Sequence, residues 1–443
     1  MRGEGFFSNL LSILMILLVV ALAVLVFFNY QANTQQMAEI AAAEAAAAAT
    51  PTPPPVQTPE PTPVPDRNTE VVTLAFAGDI VGQAGLTTDA LISGDDGSES
   101  YDYSLQLEGV KDILEQADLS ACTLVGTMTA GGTYDAYRMA PTMANALAGA
   151  GFQVVNAATD HILNFGLEGL TETVSILNSQ GLQTIGAYTG ELSNGLFVAN
   201  VGNIKVALLS YTYGTGGYSV AGNPWCVNIP TPDYMSEQET IDYARIDRDI
   251  AAVRDAGADI VVCMLYWWDN TQYYNDPRDN QTEVVDYLTQ KGADIVIGGG
   301  VKAPQPIEVK TVEREDGTRA NTVVCYNLSN LLSCFNDKYT NISGIASIDV
   351  SRDVDTNEVW ISGVRYDPMF TLDTEDNGAY GEDDERFWAL PAHDAVEAYE
   401  NGEDGAVEEA AYEAIKTGIA DLQTLFGAEY DATNGGVHLE FPY

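Results

Sequence analysis

Apolar residues come in short, separated runs along most of this chain, and their spacing predicts an alternation of strands and helices. Residues 71–77 form an apolar strand ending in Gly78-Asp79, residues 119–125 a second strand and residues 153–156 a third. Runs this short and this apolar suit strands covered on both faces. Residues 167–179 place Leu167, Leu170, Val174 and Leu177 at the spacing of one buried helical face. Strand character resumes at 182–185, 197–201 and 204–211. The acidic segment 235–256 predicts a helix with a mostly solvated face, 259–266 a buried strand, 283–291 a helix and 293–298 a strand. Further strands are predicted at 307–312, 322–326, 344–350 and 359–366, and an acidic helical stretch at 383–426. This order predicts an α/β fold to which the late strands add a β-rich half.

The first residues follow another pattern. Residues 10–28 are apolar apart from Ser12, close to the roughly 20 residues that a bilayer-spanning helix needs. Arg2 precedes this run and no Lys or Arg follows before Arg67, which places the N-terminus in the cytoplasm and the rest outside. A cleaved signal peptide is the rival reading: the alanines after Ile40 offer a cleavage site, although a signal peptide's apolar region should be shorter. Residues 31–67 are Gln/Ala-rich and then Pro/Thr-rich (TPTPPPVQTPEPTPVP), a composition that makes an extended spacer instead of a packed core. Four segments are therefore expected: a cytoplasmic end with a transmembrane anchor (1–30), an extracytoplasmic linker (31–70), an α/β domain (71–370) and an acidic, mostly helical C-terminal extension (371–443).

Charge narrows the partners. The 443 residues carry 64 Asp plus Glu against 19 Lys plus Arg, a formal charge of -45, yet 46% are hydrophobic, so this is a folded acidic protein and not a disordered acidic chain. Such a surface repels nucleic acid, which is excluded as a partner. The five cysteines, Cys122, Cys226, Cys263, Cys325 and Cys334, show neither C-x-x-C spacing nor zinc-type pairing with histidine. Cys122, Cys263 and Cys325 lie in apolar runs and read as core residues; a disulfide between Cys226 and Cys334 is left open.

Three predicted strands end at polar or glycine positions: Asp79, then Thr159-Asp160-His161, then Gly298-Gly299-Gly300. In open α/β sheets ligands bind beyond the carboxyl ends of strands, so these loops mark the expected pocket. Asp79 also reads as a turn or capping carboxylate, and His161 as a structural imidazole paired with its neighbouring acid. Tyr266, Trp267 and Trp268, followed by Tyr273 and Tyr274, give an aromatic-rich strand end, and Lys302 offers a counter-charge nearby. Aromatic faces stack on sugar rings, so a cleft for an envelope polymer is one reading and wall packing the other. The glycine-rich stretch 214–225 lacks phosphate-loop spacing and reads as a loop over the pocket. No G-x-S-x-G occurs, which argues against a serine hydrolase.

Six stretches in order carry a resemblance: LAFAGDI around Asp79, NAATDHILNFGLEGLTETVSILNSQGLQTIGAY from Asn156, LLSYTYG from Leu208, CMLYWW from Cys263, KGADIVIGGG with PQPIE from Lys291, and CYNLSNL from Cys325. Together they resemble the CapA family, named for poly-gamma-glutamate capsule synthesis and related to calcineurin-like metallophosphoesterases. The resemblance implies a sandwich of two mixed sheets flanked by helices and work on a surface polymer, with capsule-assembly membrane proteins as partners. The departures bear on chemistry. The family's Asn-Leu-Glu is Thr123-Leu124-Val125 here, its Asn-Asn-His is Thr159-Asp160-His161, its His-Trp-Gly is Tyr266-Trp267-Trp268, its Gly-His-His-Pro-His is Gly298-Gly299-Gly300-Val301-Lys302, and its Ser-Leu-Gly-Asn-Phe is Asn327-Leu328-Ser329-Asn330-Leu331. Asp79, His161, Trp267 and Asn330 match; the glutamate and the four other histidine positions do not.

A two-metal hydrolytic centre needs several imidazole or carboxylate ligands on each cation. The chain has three histidines, His161, His393 and His438, the last two beyond the resembling stretch. The expectation is therefore a degenerate, non-catalytic site without a cofactor, in which Tyr266, Trp267, Lys302 and Asn330 bind a polymer or partner. A single oxygen-ligated divalent cation on Asp79 and Asp160 is the one metal the residues leave open. The competing expectation is an active hydrolase or transferase, with His161 as general acid or base and Asp79 and Asp160 as metal ligands or orienters.

Overall fold

A computed structural model describes residues 67–442 apart from 95, 135, 192–195, 232–239, 268–273, 316 and 378–385. The expected anchor and most of the expected spacer lie outside the described residues, as do Trp268 and Tyr273. Among the described residues no helix is long and apolar enough to cross a membrane.

The chain builds one sheet, leaves it for a second, and returns. Strands β1 (Thr69–Val81), β2 (Leu119–Val125), β3 (Val154–Asn156) and β4 (Gln183–Ile185) pair in parallel. Helix α1 (Thr142–Ala150) connects β2 to β3, and α2 (Gly166–Ser179) connects β3 to β4. The second sheet holds β5 (Phe197–Val201), β6 (Ile204–Thr212), β7 (Ile260–Tyr266), β8 (Ile295–Gly299), β9 (Gln305–Glu313) and β10 (Arg319–Asn327), with α3 (Tyr243–Asp255) before β7 and α4 (Asp279–Lys291) before β8. Its inner strands are parallel and its two edges antiparallel. Strands β11 (Asn330–Leu332), β12 (Ile342–Asp353), β13 (Val359–Asp373) and β14 (Phe387–Pro391) then return to the first sheet, giving it the order β14-β13-β12-β1-β2-β3-β4 with β11 beside β1.

Alternation along each strand sorts the side chains into layers. Leu74 and Phe76 of β1 face Val206, Leu208, Val262, Met264, Ile295 and Ile297 of the other sheet, forming the inner core. Ala75 and Ala77 turn outward to Leu147 of α1 and Leu177 of α2. In the second sheet Ala207, Leu209, Val261 and Leu265 turn outward to Ile246, Ile250 and Val253 of α3 and Val284, Val285 and Leu288 of α4. Two mixed sheets thus pack face to face with helices on both outer faces. Cys122, Cys263 and Cys325 are buried within these strands, and all five cysteines are free thiols, Cys226 and Cys334 included.

Several expectations change. Strand β1 begins at Thr69, inside the expected spacer. The helix expected over 235–256 starts only at Tyr243, because Asp242 caps it by accepting the Arg245 amide at 3.1 Å; residues 235–239 lie outside the described residues. The late strands form no separate half, since β9 and β10 close the second sheet while β12 and β13 extend the first. The expected boundary at 370 falls within β13, and the stretch read as wholly helical opens with β14, which pairs with β13 from Met369↔Pro391 to Asp373↔Phe387. Helices α5 (Ala392–Asn401) and α6 (Glu409–Leu422) follow. Ala411, Ile415 and Leu422 of α6, with Phe426, bury against Ile342, Phe370 and Leu372, so this acidic segment completes the same core.

Candidate functional site

Both sheets deliver the carboxyl ends of their parallel strands to one edge. Asp79 pairs with Thr123 on β2 and with Asn330 on β11, Thr123 pairs with Asn156 on β3, and Tyr266 pairs with Gly299 on β8. The sheets meet where the Gly300 amide donates to Asp79 Oδ2 at 2.7 Å. Glycine is required on the donating side: a Cβ at 299 would collide with Asp79 Oδ1, and one at 300, where φ is +92°, would lie 3.1 Å from the Tyr266 ring.

Burial decides the charge states here. Loss of water pushes the Asp79 carboxyl up to about 7, opposed by the Gly300 bond and reinforced by Asp160. Asp160 is fully buried, with Oδ2 at 3.4 Å from His161 Nε2. Burial lowers the His161 imidazole from its usual range, Asp160 and Asn164 oppose that shift, and Lys302 adds to it. Burial thus favours the uncharged imidazole beside the Asp160 carboxyl. Tyr137 stacks on the imidazole with ring centroids 3.4 Å apart and planes 11° apart. The Tyr266 hydroxyl hydrogen-bonds the Asp160 carboxyl, and burial first, then the Asp160 and Asp79 charges, hold its phenol well above the ordinary value.

Lys302 reaches the same place in a left-handed backbone conformation, φ +66°, and Ser329 opposite has φ +67°. Such residues cost on the order of 1 kcal/mol or more and persist where the surroundings fix them. The Lys302 carbonyl accepts from Ser329 Oγ at 3.2 Å and Asn330 Nδ2 at 3.4 Å, and Asn330 Nδ2 also donates to the Thr340 carbonyl at 3.1 Å. The Lys302 ammonium lies 4.2 Å from the Phe335 ring centroid, and burial lowers its basicity against the pull of Asp160 and Asp337.

Asp79, His161, Tyr266, Lys302 and Asn330 converge on one cavity that also has Val81, Val125, Tyr137 and Phe335 in its wall; its volume is about 10 Å³. That is the space of roughly one water molecule. Trp267 does not join them. It is buried in the outer layer, its Nε1 donates to the Tyr326 carbonyl at 2.7 Å, and it lines a separate cavity of about 410 Å³ with Tyr213, Tyr274 and Arg278. The glycine-rich loop packs beside the histidine-bearing segment, with Val220 and Trp225 against Ala157, Ala158 and Ile162.

Sequence reasoning missed Tyr137 and Phe335, which sit in irregular segments with no periodicity to flag them. It also missed a buried polar relay: Asn156 Nδ2 donates to Thr123 Oγ1 at 3.3 Å, and its Oδ1 accepts from Ser210 Oγ at 2.5 Å and the Ala158 amide at 3.0 Å. A threonine and an asparagine at the ends of adjacent apolar runs were the available signal.

The residues do not fit a metal pair. Around Asp79 and His161 the cavity is lined by Val81, Val125, Tyr137, Tyr266, Lys302 and Phe335, which are poor ligands for such cations, and the ammonium among them opposes a cation. The two carboxylates are engaged by the Gly300 amide and the Tyr266 hydroxyl. Among the described residues no group of three or more His, Cys, Asp or Glu converges as a metal would need.

The fold and site define an α/β two-sheet protein with a strand-end site where Asp79, His161, Lys302 and Asn330 meet aromatic and apolar side chains. The chain belongs to the bacterial capsule synthesis protein PGA_cap family, whose model matches residues 73–334. It is 27% identical over 183 residues to the PGA biosynthesis protein CapA of Bacillus subtilis (strain 168), covering 41% of this chain and 42% of that protein. It is 29% identical over 210 residues to a probable polyglutamine synthesis accessory protein of Mycobacterium tuberculosis, covering 44% and 53%. It is 26% identical over 156 residues to the capsule biosynthesis protein CapA of Bacillus anthracis, covering 34% of each chain. The chain thus spans about half the length of these relatives or less. Among solved structures, a 5'-nucleotidase precursor from Thermus thermophilus aligns with TM-score 0.40 and 11% identity over 80% of this chain and 59% of that one. Likeness at that level decides nothing about chemistry.

Proposed function

We propose that this protein is an accessory to the synthesis or attachment of a capsule or cell-envelope polymer of the poly-gamma-glutamate type, and that it acts by binding and not by hydrolysis. The observation that carries this reading is the cavity of about 10 Å³ at the strand ends. The lining side chains leave little room between them for a phosphoryl or acyl group, and an attacking water there finds no metal-activating ligand set. Family membership supports the polymer context. The apolar run at 10–28 and the spacer behind it support a domain held outside the membrane by an uncleaved anchor, with the N-terminus in the cytoplasm.

Two measurements on the purified full-length chain test the reading: metal content by mass spectrometry, and hydrolysis of a generic phosphodiester with added Mn²⁺ or Zn²⁺. The expected result is no stoichiometric transition metal and no hydrolysis above the blank. A tightly held metal pair accompanied by phosphoesterase activity would reverse it in favour of an active hydrolase working through Asp79, Asp160 and His161.

A further inference from the structure

The first residues of the domain, at the end of β1 opposite Asp79, are held by a segment distant in sequence. Arg67 Nη1 lies 3.2 Å from Asp353 Oδ2 and 2.7 Å from Glu358 Oε2, which flank the turn between β12 and β13. Its guanidinium also sits 4.1 Å from the Phe441 ring centroid and 5.4 Å from that of Trp360, and those two rings meet edge to face with centroids 5.3 Å apart. Phe441 arrives there on a strap. The inner anchor of the strap is Asp431, which is fully buried and accepts from Gln423 Nε2 at 2.8 Å, from the Thr433 amide at 3.0 Å and from the Thr433 hydroxyl at 2.8 Å. Gly435 and Gly436 follow with φ of +88° and +68°. Strand β15 (Val437–His438) then pairs with β13 at Gly363↔His438 and Val364↔Val437 and goes no further. The strap bonds both sheets: the Leu439 amide donates to the Ser362 carbonyl of β13 at 2.9 Å, and Asn321 Nδ2 of β10 donates to the Glu440 carbonyl at 2.7 Å.

We propose that residues 437–442 form a clasp that opens about Gly435 and Gly436 without unfolding the sandwich, and that its closure fixes the first residues of the domain. Local opening is drawn from segments with few buried contacts. No residue of 437–442 is buried, whereas Asp431 and the α6 residues Ala411, Ile415 and Leu422 are. The two glycines turn the chain through a conformation that side chains resist, and a Cβ at 436 would lie 2.7 Å from Arg365 Cβ. They mark the point where the anchored part ends and the clasp begins. Closure is coupled to Arg67 because its guanidinium lies between the Phe441 ring and the two carboxylates. Opening removes the ring and lets water reach the ion pairs, which then contribute little. Residues 67–71 loosen as a result, while Asp79 at the far end of β1 keeps its bond to Gly300. The clasp therefore governs the entry to the domain and stands apart from the reading of the strand-end site.

The test is amide hydrogen exchange, read by mass spectrometry on the detergent-solubilised full-length chain, for the parent, Phe441→Ala, Arg67→Met and the double variant. In the parent, peptides covering 437–442 should exchange about tenfold or more faster than those covering α6. Phe441→Ala should speed exchange over 67–71 about threefold, and Arg67→Met should do the same over 437–442. The double variant should add nothing beyond the larger single effect, since both substitutions break one contact. Peptides covering Asp79 and β7 should not change. Exchange over 437–442 that keeps pace with the core would overturn the proposal, as would a Phe441→Ala effect that never reaches 67–71. Faster exchange throughout the domain in either single variant would overturn it too, because the strap would then be part of the global fold. None of these outcomes touches the non-catalytic reading, which metal content and hydrolysis decide.

Discussion

Gly300 donates its amide hydrogen to Asp79 Oδ2 at 2.7 Å, and through that bond the loop after β8 in one sheet holds the end of β1 in the other. The bond needs a residue without a side chain at φ +92°, packed 3.1 Å from the Tyr266 ring by the position a Cβ would take. Gly300→Ala is therefore expected to destabilise the fold by about 1–3 kcal/mol. Gly181→Ala, at φ +82° but with nothing within 4 Å, isolates the backbone strain alone and should cost less. Chemical denaturation of both variants checks the difference, and equal losses would refute a role for the ring contact.

Asp79 gives the stability a pH dependence with a definite sign. Its carboxyl titrates at about 7 when folded against 3.8 unperturbed, so the folded state holds the extra proton between those values. The stabilisation from the protonated form is complete below about pH 4 and is lost as pH rises through about 7. Asp79→Asn keeps an acceptor for Gly300 but cannot ionise. Relative to the parent it should be more stable at pH 8 than at pH 4, by on the order of 1–3 kcal/mol. Thermal unfolding at the two pH values measures this, and an unchanged difference would show that Asp79 does not titrate in that range.

His161 should respond to its neighbours in opposite directions. Lys302 lowers its basicity and Asp160 raises it. Lys302→Met removes the charge but keeps most of the stem, and the imidazole should then titrate at higher pH; with Asp160→Asn it should titrate lower. With three histidines in the chain, their C2–H proton resonances can be assigned by substitution and followed through a pH series. A shift of the same sign in both variants contradicts the arrangement.

Trp267 is expected to matter for stability before ligand binding. Trp267→Phe keeps the ring packing against Tyr213 but leaves the buried Tyr326 carbonyl without its 2.7 Å donor. A loss of about 1–3 kcal/mol is expected, read from urea unfolding. A neutral substitution would mean that the carbonyl finds another donor.

The strands were legible because the buried ones are continuous apolar runs: the run at 119–125 and β2 share both ends, as do the run at 197–201 and β5. Length and β-branched content sufficed there. β14 was not legible, since it is five residues long between acidic stretches and is recognised only by its pairing with β13. The loops bearing Asp79, His161, Tyr266 and Lys302 were legible from strand ends and from the family pattern. What fills the space between them was not. Tyr137 reaches His161 from a segment remote in sequence, at φ +65°, and no local spacing announces it. Trp267 shows the opposite failure, because an aromatic residue directly after a strand reads the same whether it faces a cleft or the helix layer.

The long pairing of β1 has a consequence for how the protein comes into being. Its parallel neighbour β2 follows soon after, but on its other side Thr69 pairs with Asp353 and Ala77 with Ile345. The first strand of the domain to leave the ribosome therefore waits with one bare edge until most of the chain has been made. Contacts this distant in sequence form slowly, and an uncovered edge invites pairing with other chains. Assembly of this molecule is tied to completion of its synthesis, and anything that shields that edge in the interval would govern the yield of folded protein.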